Sequence, residues 1–299
     1  MTGRFLPAIV AIVCLGAAAC TSVGEGGPGT AAVSSQSNGR QASNPDGSEA
    51  WLIPSPVPGT PMRATLHRPA GPGPFPLAVV NHGSEQDPLR RSQMGLPAFP
   101  TITAWLLARN YAVLIPQRPG HGATGGRYLE DQGSCNRADY AAAGNGTADS
   151  IAAAVAFMRS QPFILPDDVV AIGNSAGGWG ALALAARNPP GVAGIVAFAP
   201  GRGGRDRDRP GENCSPERLV AAAGTFGQTA RVPVLMLYAE NDGYFPPALS
   251  AQIGEAFRAA GGNVTFRLLP PVGGEGHALI DAPSAPWTAD VEAFLSGLN

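Results

Sequence analysis

Val169-Val170-Ala171-Ile172-Gly173-Asn174-Ser175-Ala176-Gly177-Gly178-Trp179 is the stretch whose reading decides the fold. Four apolar residues run into Asn-Ser-Ala flanked by glycines, and an Ala/Leu-rich segment follows. The pattern predicts a strand, a tight turn and a helix, with Ser175 at the apex. Glycine on either side removes the Cβ atoms that would collide as the chain doubles back, so the serine can sit in a strained turn with its hydroxyl exposed. A hydroxyl presented this way is a candidate nucleophile. The backbone N–H of the next residue, Ala176, opens the helix and is a candidate donor to a developing oxyanion.

Outward from this turn, short β-rich apolar runs alternate with segments of helical period. Strands are expected over residues 63–68, 77–81, 112–116, 169–173, 194–199, 234–239 and 264–269. Helices are expected over 102–109, 148–160, 177–187, 216–223, 247–260 and 285–297. Leu77-Ala78-Val79-Val80 and Val234-Leu235-Met236-Leu237 are continuous apolar runs, as parallel strands covered by helices on both faces require. The expected architecture is one α/β domain spanning residues 51–299. In such sheets ligands collect at the carboxyl ends of the strands, so chemistry is sought in the residues that follow them.

A serine nucleophile needs a base, and the base needs a third group to orient it and stabilise its charged form. His277, in the turn Gly273-Gly274-Glu275-Gly276-His277 after the last strand, is the candidate base. The turn Glu240-Asn241-Asp242-Gly243-Tyr244 follows the strand at 234–239 and supplies Asp242 as the candidate acid, with Glu240 in reserve. The order Ser175, Asp242, His277 is the one expected when such a turn opens an α/β-hydrolase site. The loop Asn81-His82-Gly83-Ser84-Glu85 follows the strand at 77–81, and the N–H of Ser84 is the expected second oxyanion donor beside that of Ala176. His82, Gly83, His121, Trp179 and Tyr244 are candidate pocket residues.

With these residues in view, the chain resembles the α/β-hydrolases. Its Asn-His-Gly loop, its Arg118-Pro119-Gly120-His121-Gly122 loop and its Gly-Asn-Ser-Ala-Gly elbow resemble the dienelactone-hydrolase-like branch. The likeness covers about residues 51–299. It implies a Ser-Asp-His triad on a mostly parallel sheet of about eight strands, acting on carboxylic esters without a cofactor. Dienelactone hydrolases proper carry cysteine as nucleophile, and here the position is Ser175. A serine peptidase with the same three residues and a non-catalytic binding lipoprotein are the competing readings.

Composition narrows the partners. The 299 residues are 44% apolar and 14% charged, with 20 Lys and Arg against 22 Asp and Glu. That balance provides no basic face for nucleic acid and no general attraction to an anionic membrane. Gly120-His121-Gly122-Ala123-Thr124-Gly125 matches G-x-G-x-x-G, but no helix is expected to open there, so a dinucleotide site is not supported. No metal-ligand spacing is present. Arg202, Arg205, Arg207 and Arg209 are interleaved with Asp206 and Asp208, which reads first as a self-compensating loop and second as a clamp for an acidic substrate group.

The amino terminus reads as processing rather than fold. Arg4 precedes an apolar run too short to span a bilayer, and Leu15-Gly16-Ala17-Ala18-Ala19-Cys20 resembles a bacterial lipoprotein signal. Residues 1–19 are the expected signal peptide, Cys20 the lipidation site, and 20–50 a flexible tether to a membrane anchor. Ala17-Ala18-Ala19 also satisfies the A-x-A rule for ordinary signal cleavage, which would give a periplasmic or secreted protein. Once Cys14 leaves with the signal and Cys20 carries lipid, Cys135 and Cys214 remain as an even pair, expected to form a disulfide in an oxidising compartment.

Overall fold

Alternate side chains of the apolar runs point to opposite faces, and each face finds its own helical cover. The computed structural model describes residues 38–298. Its nine strands are β1 (Gly39–Ser43), β2 (Glu49–Ile53), β3 (Met62–His67), β4 (Phe75–Asn81), β5 (Ala112–Gln117), β6 (Ile164–Asn174), β7 (Val192–Phe198), β8 (Val234–Ala239) and β9 (Val264–Leu269). The helices are α1 (Pro88–Ser92), α2 (Pro100–Leu107), α3 (Tyr140–Arg159), α4 (Ala176–Ala185), α5 (Pro216–Gly227), α6 (Pro247–Ala259) and α7 (Thr288–Ser296). On β4, Leu77 and Val79 join the core beneath α3 to α6, whereas Ala78 and Val80 join the core beneath α2 and α7. On β8, Val234, Met236 and Tyr238 divide from Leu235 and Leu237 in the same way.

The strands form one sheet in the order β1-β2-β3-β5-β4-β6-β7-β8-β9. β1, β2 and β3 pair antiparallel, β3 is antiparallel to β5, and every later pairing is parallel. The chain steps outward from β4 to β5 on one side and later returns to place β6 on the other, so β4 and β6 flank a topological switch point. The loop after β4 carries His82 to Ser84, and β6 ends at the turn bearing Ser175.

The seven expected strands are all present, with ends moved by a few residues. β1 and β2 correct the expected tether, whose boundary at residue 50 falls inside the sheet. The small polar residues there are turn chemistry: the Asp46 carboxylate accepts from the backbone N–H (3.0 Å) and hydroxyl (2.7 Å) of Ser48, closing a hairpin. Its second strand buries Glu49, which accepts from Trp51 Nε1 (2.9 Å) and from Arg68. The expected signal, Cys20 and the tether up to residue 37 lie outside the described residues.

Cys135 and Cys214 are joined, with Cα atoms 5.3 Å apart across 79 residues of chain. The bond ties the approach to α3 to the approach to α5. The same junction has Ser215 Oγ donating to the Cys135 carbonyl (2.6 Å) and the Tyr140 hydroxyl donating to the Cys214 carbonyl. Closing a loop of this length restricts the unfolded chain. The double variant Cys135→Ser/Cys214→Ser is therefore expected to unfold with about 2–4 kcal/mol less stability. Urea denaturation under non-reducing conditions checks this, and an unmoved midpoint refutes it.

Candidate active site

Ser175 sits between β6 and α4 with φ 54° and ψ −120°, a conformation that L-residues other than glycine seldom hold. The surroundings impose it. A Cβ on Gly173 would stand 2.3 Å from the Gly177 carbonyl carbon, and one on Gly177 would stand 2.3 Å from the Asn81 carbonyl oxygen. Both glycines are therefore required by close backbone approach. The turn is pinned by the Ser175 N–H donating to the Phe198 carbonyl (2.9 Å) and the Trp179 N–H donating to the Ser175 carbonyl (2.8 Å).

The loops after β8 and β9 bring Asp242 to His277. His277 Nδ1 lies 3.2 Å from both Asp242 carboxylate oxygens, and Asp242 Oδ1 also accepts from the N–H groups of Tyr244 (2.7 Å) and Phe245 (3.1 Å). A proton on Nδ1 satisfies this geometry and leaves Nε2 as the basic nitrogen. The Tyr244 ring stacks on the imidazole at 3.9 Å between centroids. Glu275 joins the two loops, since its Oε1 accepts from both the Gly243 N–H (2.7 Å) and the His277 N–H (3.1 Å). Asn241 adds a second link, accepting from the Val272 N–H at 2.9 Å. Glu240, the reserve acid, is exposed.

His277 Nε2 is buried and bonds to no protein atom, and it is not hydrogen-bonded to Ser175 Oγ. Ser175, His277, Gly83, Ser84 and Tyr244 nevertheless line one open cavity of about 560 Å³. Hydrogen bonds between catalytic partners are often long before substrate binds.

The loop after β4 is braced from behind by buried charge. Arg118 and Glu130, 0% and 1% exposed at their side chains, pair at 2.5 Å, and Arg202 pairs with the other Glu130 oxygen. Arg118 also donates to the carbonyls of His82 (2.8 Å) and Gly83 (3.4 Å). Burial alone would raise the Glu130 carboxyl, but the Arg118 and Arg202 guanidiniums together hold it well below the ordinary glutamate value. Two imidazoles complete the brace. His82 accepts at Nε2 from the Arg118 N–H (3.1 Å) and donates from Nδ1 to the Gly83 carbonyl. His121 donates from Nδ1 to the Pro119 carbonyl (3.1 Å) and accepts at Nε2 from the Ser84 hydroxyl (2.9 Å). The Tyr128 hydroxyl in turn donates to Ser84 Oγ (3.1 Å) and accepts from Arg202 (3.2 Å). Burial lowers both histidines, His82 well below 6.5 and His121 to about 4, so both are neutral at pH 7.

Three expected pocket residues are thus placed elsewhere. Trp179 is fully buried, donates from Nε1 to the Tyr140 carbonyl (2.8 Å) and packs on Phe226, because its large ring gains more between α3 and α5 than at a wet cleft. His82 and His121 stand behind the loop and not on the cavity wall, whereas Gly83 and Tyr244 line it. The Gly120–Gly125 turn closes on itself, with the Gly120 N–H donating to the Gly125 carbonyl (2.6 Å), and contains a three-residue 3-10 turn in place of an α-helix. The arginine loop is compensated: Arg205 meets Glu275, Arg207 meets Asp206 and Arg209 meets Glu212. Glu130 and Glu275 are the functional candidates that sequence reasoning missed. Their partners lie up to 72 residues away for Glu130 and up to 70 for Glu275, so no local pattern marks them.

The family profile for the dienelactone hydrolase family matches residues 93–290, about two-thirds of the chain. That span contains Ser175, Asp242 and His277 and excludes the loop at His82 to Ser84. A comparison with curated proteins finds no match. Among solved structures, an acetyl xylan esterase from Paenibacillus sp. R4 is similar with TM-score 0.58 and 18% identity, over 87% of this chain and 88% of that one. An esterase of Pyrococcus furiosus gives 0.60 and 14%, over 84% and 93%. Dipeptidyl peptidase 4 of Porphyromonas gingivalis gives 0.61 and 18%, over 84% of this chain and 35% of that one. At such identities the likeness establishes the α/β-hydrolase fold, which carries esterases and a peptidase alike.

Two consequences of the buried brace are open to measurement. Glu130→Gln leaves two guanidiniums in a dry interior without their anion, so the variant is expected to lose about 3–5 kcal/mol of stability in urea denaturation at pH 7.5. For the natural chain, the neutral His121 resists a proton that the unfolded chain accepts, so stability declines as pH falls from 6.5 towards about 4. The Glu130 contribution is complete above 4.5 and is lost as pH falls below that value. Stability that is flat between pH 7 and pH 4 contradicts this arrangement.

Proposed function

Because this chain belongs to the dienelactone hydrolase family, we propose that it is an exported serine hydrolase that cleaves carboxylic esters. The observation that carries this reading is the Asp242 carboxylate seated on His277 Nδ1, with Nε2 left unpaired at the edge of the cavity that also exposes Ser175.

In the first half-reaction Ser175 Oγ bonds to the ester carbonyl carbon while its proton passes to His277 Nε2. The carbonyl π pair moves on to oxygen, where the N–H groups of Ser84 and Ala176 receive it; both residues line a small recess together with Ser175. As the oxyanion collapses, the bond to the alcohol oxygen breaks and His277 returns the proton to that oxygen. The acyl group remains on Ser175. Water then attacks the acyl carbon, giving its proton to Nε2, and collapse releases the acid and restores the serine hydroxyl. Asp242 holds the imidazole in one tautomer and stabilises its charged form throughout. Besides the ester and water, the steps use only groups of the chain itself.

Export is supported by the Cys135–Cys214 bond and by the signal-like amino terminus. Membrane association would come through lipid on Cys20 alone, and the partner of the folded part is a small-molecule ester.

Ser175→Ala is expected to reduce p-nitrophenyl acetate hydrolysis by at least about 10⁴-fold and to abolish labelling by a fluorophosphonate probe. Undiminished turnover sinks the assignment. Glu275, acting through the backbone of the Asp242 and His277 loops, is a positioning residue. Glu275→Ala is expected to lower kcat about tenfold with KM little changed, while Glu275→Gln, which keeps the Oε1 acceptor, recovers most of the loss. Equal activity in both variants refutes that role.

A further inference from the structure

Two spaces open on Ser175, and they differ in size, in lining and in their access to His277. The larger, about 560 Å³, contains His277. The smaller, about 40 Å³, contains Ser84, Ser175 and Ala176 but not His277. This difference assigns the two halves of an ester. His277 must return a proton to the departing alcohol oxygen, so the alcohol lies on the side where the imidazole stands. The acyl group, held by its carbonyl between the Ser84 and Ala176 amides, is directed into the recess that lacks it.

The recess has little room and little freedom to widen. A cavity of 40 Å³ takes on the order of one to three water-sized groups, which is an acyl chain of two or three carbons. Part of its wall is the backbone of Gly201 to Gly204, packed directly on the Phe245 ring and on the Cβ and carbonyl of Tyr244, and Gln86 and Gln132 contribute to the rest. A Cβ on Gly201 would stand 2.5 Å from the Phe245 ring, and one on Gly204 would stand 2.8 Å from Tyr244. The segment is anchored from outside as well. The Cys214 N–H donates to the Gly203 carbonyl (2.8 Å), Cys214 is itself tied to Cys135, and the Arg202 guanidinium is locked to Glu130.

The large cleft has the opposite character. Arg90, Arg205 and Arg207 line it together with Glu85, Asp87 and Asp208, and Met94 is its one aliphatic side chain. Arg205 is engaged by Glu275 and Arg207 by Asp206, so the positive charge is largely matched. Such a surface gives an anion little net attraction and an alkyl group little apolar contact, while offering many donors and acceptors to neutral hydroxyls. We infer that the substrates are short-acyl esters, two or three carbons long, of a bulky, neutral, polyhydroxylated alcohol. The inference rests on the serine-esterase reading above.

The test uses the folded natural chain. In a p-nitrophenyl series with a constant leaving group, kcat/KM is expected to be highest for acetate and propionate and at least about 50-fold lower for octanoate, whose chain exceeds the recess. In an acetyl series, 6-O-acetylglucose is expected to exceed cyclohexylmethyl acetate by at least about tenfold, read as acetate released. Octanoate turned over within threefold of acetate, or the cyclohexyl ester matching the sugar ester, overturns the inference while fluorophosphonate labelling of Ser175 leaves the esterase reading intact. Absence of both labelling and turnover of every ester overturns that reading and this inference with it.

Discussion

Where the first turn of α4 meets the end of β4, two backbones touch with no side chain between them. Gly177 stands so close to the Asn81 and His82 carbonyls that a single methyl group would overlap both. Gly83 lies in turn against Ser175, whose Cβ would be 3.3 Å from a Cβ built on that glycine. These approaches set the separation between the serine hydroxyl and the amides of the facing loop. Stabilisation by fixed donors is steep in distance, so in the proposed reaction an ångström of separation here is worth about a hundredfold in rate. The strain at Ser175, of order 1–3 kcal/mol, is sustained by the bonds that over-determine the turn.

The facing loop depends on electrostatics that the solvent never reaches. Glu130 accepts from Arg118 and Arg202 in an interior where each charge alone would be costly, and the pairing makes their burial tolerable. Arg118 uses its remaining donors on the His82 and Gly83 carbonyls, which turns the peptide planes of the loop. Neutral His121 reaches the same loop through the Ser84 hydroxyl. The polar groups behind the site thus form one connected set, and its members lose value together when one is removed. The loops after β8 and β9 are coupled more simply, by Glu275 and Asn241 reaching across to backbone N–H groups.

Much of this was legible in the chain because it follows from local chemistry. Continuous apolar runs gave the parallel strands, and the glycines around Ser175 gave the elbow. Asp242 and His277 are candidates because each follows a strand, and the structure brings them within 3.2 Å of one another. The parts that were not legible depend on contacts between distant segments. The hairpin at Gly39 to Ile53 was hidden because Asn44, Asp46 and Ser48 have the composition of a linker, and the bonds among them, from Ser48 to Asp46 and from the Asn44 N–H to the Ser48 carbonyl, make them a turn. Trp179 lies four residues beyond the serine yet faces α3 and α5, a matter of helix packing that sequence spacing does not state. Glu130 sits in a polar stretch with no pattern, and its importance comes from two arginines 12 and 72 residues away.

The recess beside Ser175 owes much of its outline to main chain, with Gly201, Gly203 and Gly204 seated on Phe245, the Tyr140 hydroxyl and Tyr244. Pockets bounded by side chains can be re-cut one residue at a time, and their selectivity drifts easily through point substitution. The stretch of boundary made of glycine backbone offers no such handle, because exchanging a glycine adds bulk where other atoms already stand and cannot remove any. More room on that side would come only from lengthening or shortening the 201–215 segment, whereas Gln86, Gln132 and Phe245 are the parts of the wall that a codon change can shorten.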